Sequence, residues 1–429
     1  MKISAKLLST FLINISLFTF TFIVSVVLSR FLGPENYGQY RYIMLVVSTL
    51  VLVLSFGVPG ILEIKLAQKK VDLRYYIRKS LRFVFPISIF ICLLGLSFFS
   101  KLPTNIDRNL IYISIFLYFA YLLNSVFHNA VYALDNIKKF QIIEIMKQSS
   151  FLIMIFVLYL CKNLSLITIL YAFIFINLFG FFYIVYIILR KKYQVIDNEY
   201  TYKQIFKDAF KVYTNNLLTF MTYRVDLFIL KMFVGFYEIG IYTLAVNLAE
   251  KIWIFPNSIK QVVYLEIANK RQNEFFVAKI IRLLSFSLIF IFTTLAVISF
   301  YLIPLVFSEK FRPSIYPFLL LLPGVILFCY SKILSSYFIA KDMIEVNTYS
   351  SILITAVNII FNFLLIPKFT IYGAAIATTL AYLTGAVYHL NKFKILSKIS
   401  FKNLLIVKQS DIDFLKPLLL KFKKSENKC

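Results

Sequence analysis

Stretches of about 20 apolar residues recur from one end of this 429-residue chain to the other, each long enough to cross a hydrocarbon core of about 30 Å. No other feature constrains the fold as tightly. Lipid offers the backbone no hydrogen-bond partner, so every crossing has to be a helix. Twelve spans are expected, at 10–32, 41–62, 83–100, 109–128, 143–161, 165–189, 212–234, 240–264, 283–307, 314–339, 347–366 and 370–390. The sequence is 60% hydrophobic and 15% charged, against roughly 25% charged in soluble domains. The reading is an all-α polytopic membrane protein. Lys2 and Lys6 followed by an apolar run to Leu32 imitate a signal peptide, but the run is too long and no small-x-small site follows, so it reads as a retained first span.

Basic residues alternate sharply between the two sides. The loop after span 2 alone carries Lys65, Lys69, Lys70, Arg74, Arg78, Lys79 and Arg82. All the opposite loops together hold only Arg41, Lys101, Arg108, Lys162, Lys310, Arg312 and Lys368. The positive-inside rule then places both termini in the cytoplasm. The net charge of +26 is a topology signal with contacts to anionic lipid, and nucleic acid is not an expected partner. The short loops leave no room for an outer or cytosolic catalytic domain, so an enzyme is not expected. The tail from 391 to 429 is basic and could form an interfacial helix broken near Pro417.

The chain also repeats itself. Residues 28–40 read LSRFLGPENYGQY and residues 230–242 read LKMFVGFYEIGIY. Leu28, Phe31, Gly33, Gly38 and Tyr40 match Leu230, Phe233, Gly235, Gly240 and Tyr242. Glycine occurs only 11 times, so two coincident glycines are telling. A weaker echo sets Asp135 after span 4 against Asp342 after span 10. Six helices per half is an even number, so both halves begin on the same side and the repeats are parallel. The expected organisation is an N-terminal six-helix lobe (1–189), a cytoplasmic linker (190–211), a C-terminal six-helix lobe (212–390) and the tail.

The start of the chain, an apolar span, LSRFLGPENYGQY and a second span ending in SFGVPG, resembles the polysaccharide flippases of the multidrug/oligosaccharidyl-lipid/polysaccharide exporter superfamily. So does Asn362 to Tyr382, NFLLIPKFTIYGAAIATTLAY, which is similar to that family's P-x-x-G-x-x-G-A-A-x-A-T signature. Thr370 stands near the place of the first glycine, and Gly373 precedes Ala374-Ala375. The resemblance implies two lobes around a central cavity, working by alternating access. It implies a substrate too, an O-antigen or capsule repeat unit on a polyprenyl pyrophosphate, moved across a bacterial inner membrane during lipopolysaccharide or capsule synthesis. Partners would be that lipid-linked oligosaccharide, membrane lipids and other polysaccharide-assembly proteins. The alternatives are a multidrug exporter of the same superfamily, which needs acidic cavity residues; a polysaccharide polymerase or ligase, which would carry a large outer loop and no repeat; and, nearer, a lipid II flippase, a family that typically has two extra helices for which this chain has no room.

Charges inside the spans are costly, roughly 2.5–3.5 kcal/mol each at mid-bilayer, and should face protein or water. The basic ones are Arg30, Arg224, Lys231, Lys251 and Lys332, and the acidic ones are Asp226 and Glu250. Arg224 lies near the middle of span 7, with Lys231 on the same face nearer the outside, while Asp226 points elsewhere. Lys251 is mid-span 8, with Asn247 and Ser258 on its face. Lys332 is in the inner half of span 10. One reading makes the five cations a substrate-binding set for pyrophosphate, since Arg forks onto phosphate oxygens and Lys acts as a point charge. The other has Arg224 or Lys251 paired with Asp226 or Glu250, which serve as pairing or ion-coupling groups. Arg30 and Lys231 are close enough to the outer surface to snorkel. His128, with Asn124 and Asn129 at the inner end of span 4, is either a satisfied interfacial group or a proton relay. Pro256 and Pro323-Gly324 should kink their helices. The four cysteines and two histidines show no metal spacing, and no P-loop is present, so neither metal nor cofactor is expected.

Overall fold

The computed structural model describes residues 2–68, 70–99, 108–133, 137–190, 202–409 and 411. All regular elements among the described residues are helical. They run α1 (Lys2–Leu54), α2 (Val58–Ala67), α3 (Leu73–Phe99), α4 (Arg108–Ala133), α5 (Ile137–Leu160) and α6 (Leu166–Leu189). Next come α7 (Tyr202–Phe233), α8 (Phe236–Glu250), a 3-10 turn at Lys251–Trp253, α9 (Ile254–Ala268) and α10 (Glu274–Phe307). A second 3-10 segment at Glu309–Ser314 leads to α11 (Ile315–Ala340), α12 (Ile344–Ser397) and α13 (Phe401–Leu405). Seven of the described helices are long and apolar enough to cross a membrane. Along α10, Phe286, Ile289, Phe290 and Val297 are between 64% and 70% exposed. A stripe of that kind is a lipid-facing surface, since water would penalise it.

Two of the helices are hairpins. α1 reverses at Gly33, whose backbone (φ 69°, ψ 174°) excludes a side chain. Pro34 restarts the helix with φ already set. Across the bend the hydroxyls of Ser25 and Tyr37 meet at 3.2 Å, although twelve residues of straight helix would separate them by about 18 Å. α12 reverses at Thr370 (φ 51°, ψ −126°). There His389 meets Ser350 at 3.2 Å and Asn347 at 3.0 Å across the bend. With each hairpin counted as two crossings and α8–α9 as one interrupted crossing, the helices correspond to the twelve expected spans.

The expected spans differ from the helices in two instructive places. Span 2 stops at Leu54 rather than 62. Pro59 lacks the N–H that would continue the ladder to Ser55, and Phe56 and Gly57 turn left-handed before α2 begins. Span 8 breaks at Lys251–Trp253, because Pro256 cannot bond the carbonyl of Ile252 and its ring crowds it, so the preceding turn tightens to 3-10. Pro323, in contrast, lies inside an uninterrupted α11. Next to it, Gly324 lets α12 approach to backbone contact: a Cβ there would lie 2.5 Å from the Thr379 Cα. The Thr379 hydroxyl donates to the Leu320 carbonyl at 2.6 Å.

The chain divides into two compact units, Met1–Phe220 and Met221–Cys429, and the division falls inside α7. The expected linker lies partly outside the described residues. The fourth span of each unit is its most buried one. α4 has half of its apolar window buried against 17% for α1 and α5, and α11 has 67% against 11% for α10. The repeated segments match in burial as well. Leu28 and Leu230 are buried, Phe31 and Phe233 are both 45% exposed, and Tyr40 and Tyr242 are buried. Asp135, half of the weaker echo, lies outside the described residues.

Beyond α12 the chain folds back onto α10. Arg282, nearly buried, forks onto Asp411 at 2.6 and 2.9 Å and donates to the Asn403 carbonyl at 2.7 Å. Leu404 of α13 is fully buried beneath this clasp. Pro417 and the helix expected around it lie outside the described residues. The hydrogen bonds from Arg282 hold the Asp411 carboxyl below its ordinary range.

Three outcomes follow from these strained and buried groups. Thr370→Gly relieves a backbone conformation that costs roughly 1–3 kcal/mol in a side-chain-bearing residue and adds about 0.5–1 kcal/mol of glycine entropy. A net gain of about 1 kcal/mol should appear as a higher thermal midpoint in micelles, and an unchanged or lower midpoint would contradict it. A depressed Asp411 pKa contributes stability above the unfolded value that is lost as pH falls through the folded one. α13 should therefore stay docked and resist protease at neutral pH and be released only below about pH 4. Asp411→Asn should expose it at every pH, because a buried guanidinium loses its partner at a cost of about 3–5 kcal/mol.

Candidate functional site

The second unit gathers most of the intramembrane charge. The middle of α7 supplies Tyr223, Arg224 and Asp226, the end of α8 supplies Glu250, the 3-10 turn supplies Trp253, α11 supplies Phe328 and Lys332, and α12 supplies Thr378 and Tyr382. Glu250 sits at the C-terminal end of a helix, where the macrodipole is unfavourable to an anion. Arg224 answers it with a two-pronged contact, Nη1 to Oε1 at 3.1 Å and Nη2 to Oε2 at 3.0 Å. That fork geometry is one that a lysine could not reproduce.

Lys332 stands beside this pair in an aromatic enclosure. Its ammonium donates to the Tyr223 hydroxyl at 3.1 Å and lies 4.0 Å from the Trp253 ring centre, 5.0 Å from that of Tyr223 and 5.5 Å from that of Phe328. The faces of these rings attract a cation where water is scarce. The rings hold one another as well. Phe328 stacks on Tyr382 at 4.7 Å, Trp253 meets Tyr382 at 5.6 Å, and the Trp253 indole donates to the Val325 carbonyl at 3.0 Å. Arg224, Lys332 and Glu250 thus share an aromatic-walled cluster in which Glu250 pairs with Arg224, while the Lys332 ammonium makes no salt bridge with a described carboxylate. Such a site can fork onto phosphate oxygens through Arg224, attract them through Lys332 and offer ring faces to an apolar or sugar surface.

Asp226 makes no ion pair with Arg224, although the two charges lie close enough to interact. It is buried and accepts from the Tyr242 hydroxyl at 2.6 Å, from the Leu227 N–H at 2.9 Å and from Thr378 at 3.4 Å. Its partner Tyr242 is the last matched residue of the repeat, so this carboxyl ties α7 to α8. Lys231 is drawn to the bend rather than toward Arg224. Its ammonium lies over the Phe236 ring at 4.3 Å and 3.5 Å from the Val234 carbonyl, near the C-terminal end of α7. Lys251 opens the 3-10 turn, half-buried, one residue past Glu250. Arg30 is exposed on α1 three residues before Gly33 and belongs to the first unit.

The aromatic enclosure is the part that sequence reasoning missed. Trp253 is the only tryptophan in the chain, three residues ahead of Pro256 and two beyond Lys251, and that singularity was the available signal. Tyr223, Phe328 and Tyr382 are hidden among 29 tyrosines and 47 phenylalanines.

The sequence profile of the family described as "Polysaccharide biosynthesis protein" matches residues 3–265. No curated protein sequence matches the chain. Among solved structures, the lipid II flippase MurJ in an inward closed conformation superposes with a TM-score of 0.68 at 15% identity, over 96% of this chain and 92% of that one. An inward-facing multidrug resistance MATE family transporter of the MOP superfamily gives 0.65 at 14% identity, over 90% and 96%. A MOP superfamily transporter from Pyrococcus furiosus, described as having a binding pocket of reversed polarity, gives 0.60 at 15% identity, over 91% and 95%. The profile covers more than half of the chain, which is therefore a member of the polysaccharide biosynthesis protein family, a multi-pass membrane protein with the fold of MOP superfamily transporters.

Proposed function

We propose that this protein is a flippase that moves polyprenyl-pyrophosphate-linked oligosaccharide repeat units from the cytoplasmic to the outer leaflet of a bacterial inner membrane by alternating access, with both termini in the cytoplasm. The observation that carries the reading is the Lys332 ammonium, held inside aromatic walls beside the Arg224–Glu250 pair with no salt bridge to a described carboxylate. Cations are costly within a bilayer, and they are kept where an anion passes or binds. Family membership supports a role in building surface glycans. In this reading Arg224 and Lys332 hold the pyrophosphate, Lys251 adds a third cation, and Glu250 holds Arg224 in place while the site is empty. Asp226 is a structural tie. Arg30 and Lys231, each beside the glycine turn of its own repeat, act at the outer end, where the headgroup is released.

The multidrug exporter alternative rests on the shared fold. It calls for acidic residues facing a cationic drug, and here Glu250 is tied to Arg224 and Asp226 to Tyr242. No P-loop is present in the sequence, so the inside-negative potential is the proposed driving force, favouring outward movement of an anion by about 2.3 kcal/mol per charge per 100 mV.

Deletion in a bacterium with a defined surface glycan should abolish that glycan and leave single lipid-linked units on the inner leaflet. Normal glycan with altered drug tolerance would instead support the exporter. Complementation with Arg224→Glu should fail, because two carboxylates then face each other. The exchange Arg224→Glu with Glu250→Arg separates pairing from cargo binding. It restores the ion pair, so the protein should insert and resist heat as before, yet export should stay at least about tenfold down, the equivalent of about 1.4 kcal/mol. Full recovery of export would reduce Arg224 to a structural partner. Lys332→Met should likewise lower export while leaving the fold intact, and normal export would remove Lys332 from the site.

A further inference from the structure

The first unit contains a polar cavity that the cationic cluster does not use. It has a volume of about 330 Å³ and opens among α1, α4, α5 and α6, at the small end of the range of roughly 300–1,000 Å³ for ligand pockets. One wall is a chain of matched charges and amides. Glu144 is approached by His128 Nε2 at 3.3 Å and by the Lys147 ammonium at 3.0 Å. Lys147 also donates to Asn124 Oδ1 at 3.1 Å, and Asn124 donates to the Asn177 carbonyl at 2.9 Å. The single carboxylate and the single ammonium neutralise each other. The opposite character comes from Tyr121, Phe151 and Phe173, the two phenylalanine rings meeting edge to face at 5.5 Å. Asn129 and Gln148 also line the cavity, half-buried, and their side-chain amides make no hydrogen bond with another described residue.

The lining selects its ligand by elimination. With the His128 imidazole neutral, the wall is charge-balanced and gives an anion no net attraction. A metal ion would face the Lys147 ammonium. A purely apolar ligand would strip water from Asn129 and Gln148 without replacing it, at about 1–3 kcal/mol for each group left unpaired. Primary amides donate and accept together, which is what vicinal hydroxyl groups do, and aromatic faces suit the C–H face of a ring whose edge is polar. We propose that this cavity binds one neutral pyranose ring of the cargo. The proposal deepens the flippase reading and takes from it only the saccharide nature of the cargo.

The test uses the full chain, purified in a detergent without a sugar headgroup, and ligand-observed saturation-transfer NMR with methyl glycosides of glucose, galactose and N-acetylglucosamine. At least one should bind. Asn129→Leu combined with Gln148→Met should weaken it about tenfold, with the thermal midpoint unchanged. Gln148→Met alone serves as the milder variant if the pair perturbs folding. Inorganic pyrophosphate should not displace the sugar. Three results each overturn the proposal: no glycoside binds, binding is equal in both variants, or pyrophosphate competes. Flipping of lipid-linked sugar in proteoliposomes separates the two readings. Flipping without sugar binding sinks this site alone, whereas sugar binding that the variants weaken, without flipping, sinks the flippase reading and leaves the site.

Discussion

A carboxylate at the C-terminal end of a helix inside an apolar bundle needs a cation beside it, and the meeting of Glu250 with Arg224 organises the second unit around that need. The cost of either charge alone would be several kcal/mol. Paired, they fix the end of α8 against the middle of α7. The 3-10 turn that follows Glu250 then presents Trp253 to Lys332, and the rings of Phe328 and Tyr382 close around it. The site is built from the break in a helix rather than from its regular part. That is where membrane proteins place irregular backbone, against protein or a polar cavity and away from lipid.

Much of this could be read from the sequence because the penalties are large. Arg224, Asp226 and Glu250 stand out in apolar runs where any charge is expensive, and their spacing along α7 already separated Arg224 from Asp226. The repeat was legible because glycine is scarce. What stayed hidden depends on contacts between distant segments. Nothing local says that Lys231 turns to Phe236 at the bend, since the end of α7 decides it. Arg282 and Asp411 are 129 residues apart, and neither sits in a conspicuous motif. Thr370 shows the reverse case. The sequence marked it as standing where a family signature has glycine, and the backbone there has the conformation a glycine would supply.

The two halves share a frame and differ in what it carries. The repeated segments bend at Gly33 and Gly235 and bury the same tyrosine. Yet the positions in the first half that correspond to Arg224, Asp226 and Glu250 are Phe22, Val24 and Ser48. The first half keeps its polar groups elsewhere, on α4 and α5 around Glu144. Duplication left the scaffold in both halves and allowed the chemistry of each to diverge.

The contact between Gly324 and Thr379 has a mechanical meaning. With no side chain between them, α11 and α12 meet backbone to backbone and are latched by the Thr379 hydroxyl. Sliding one past the other would drive peptide groups together, so there is no soft layer for shear. The hairpin of α12 and the central helix of the second unit form a spine, with Lys332 on the α11 side of it. α11 and the arm of α12 that carries Thr379 therefore move as one piece.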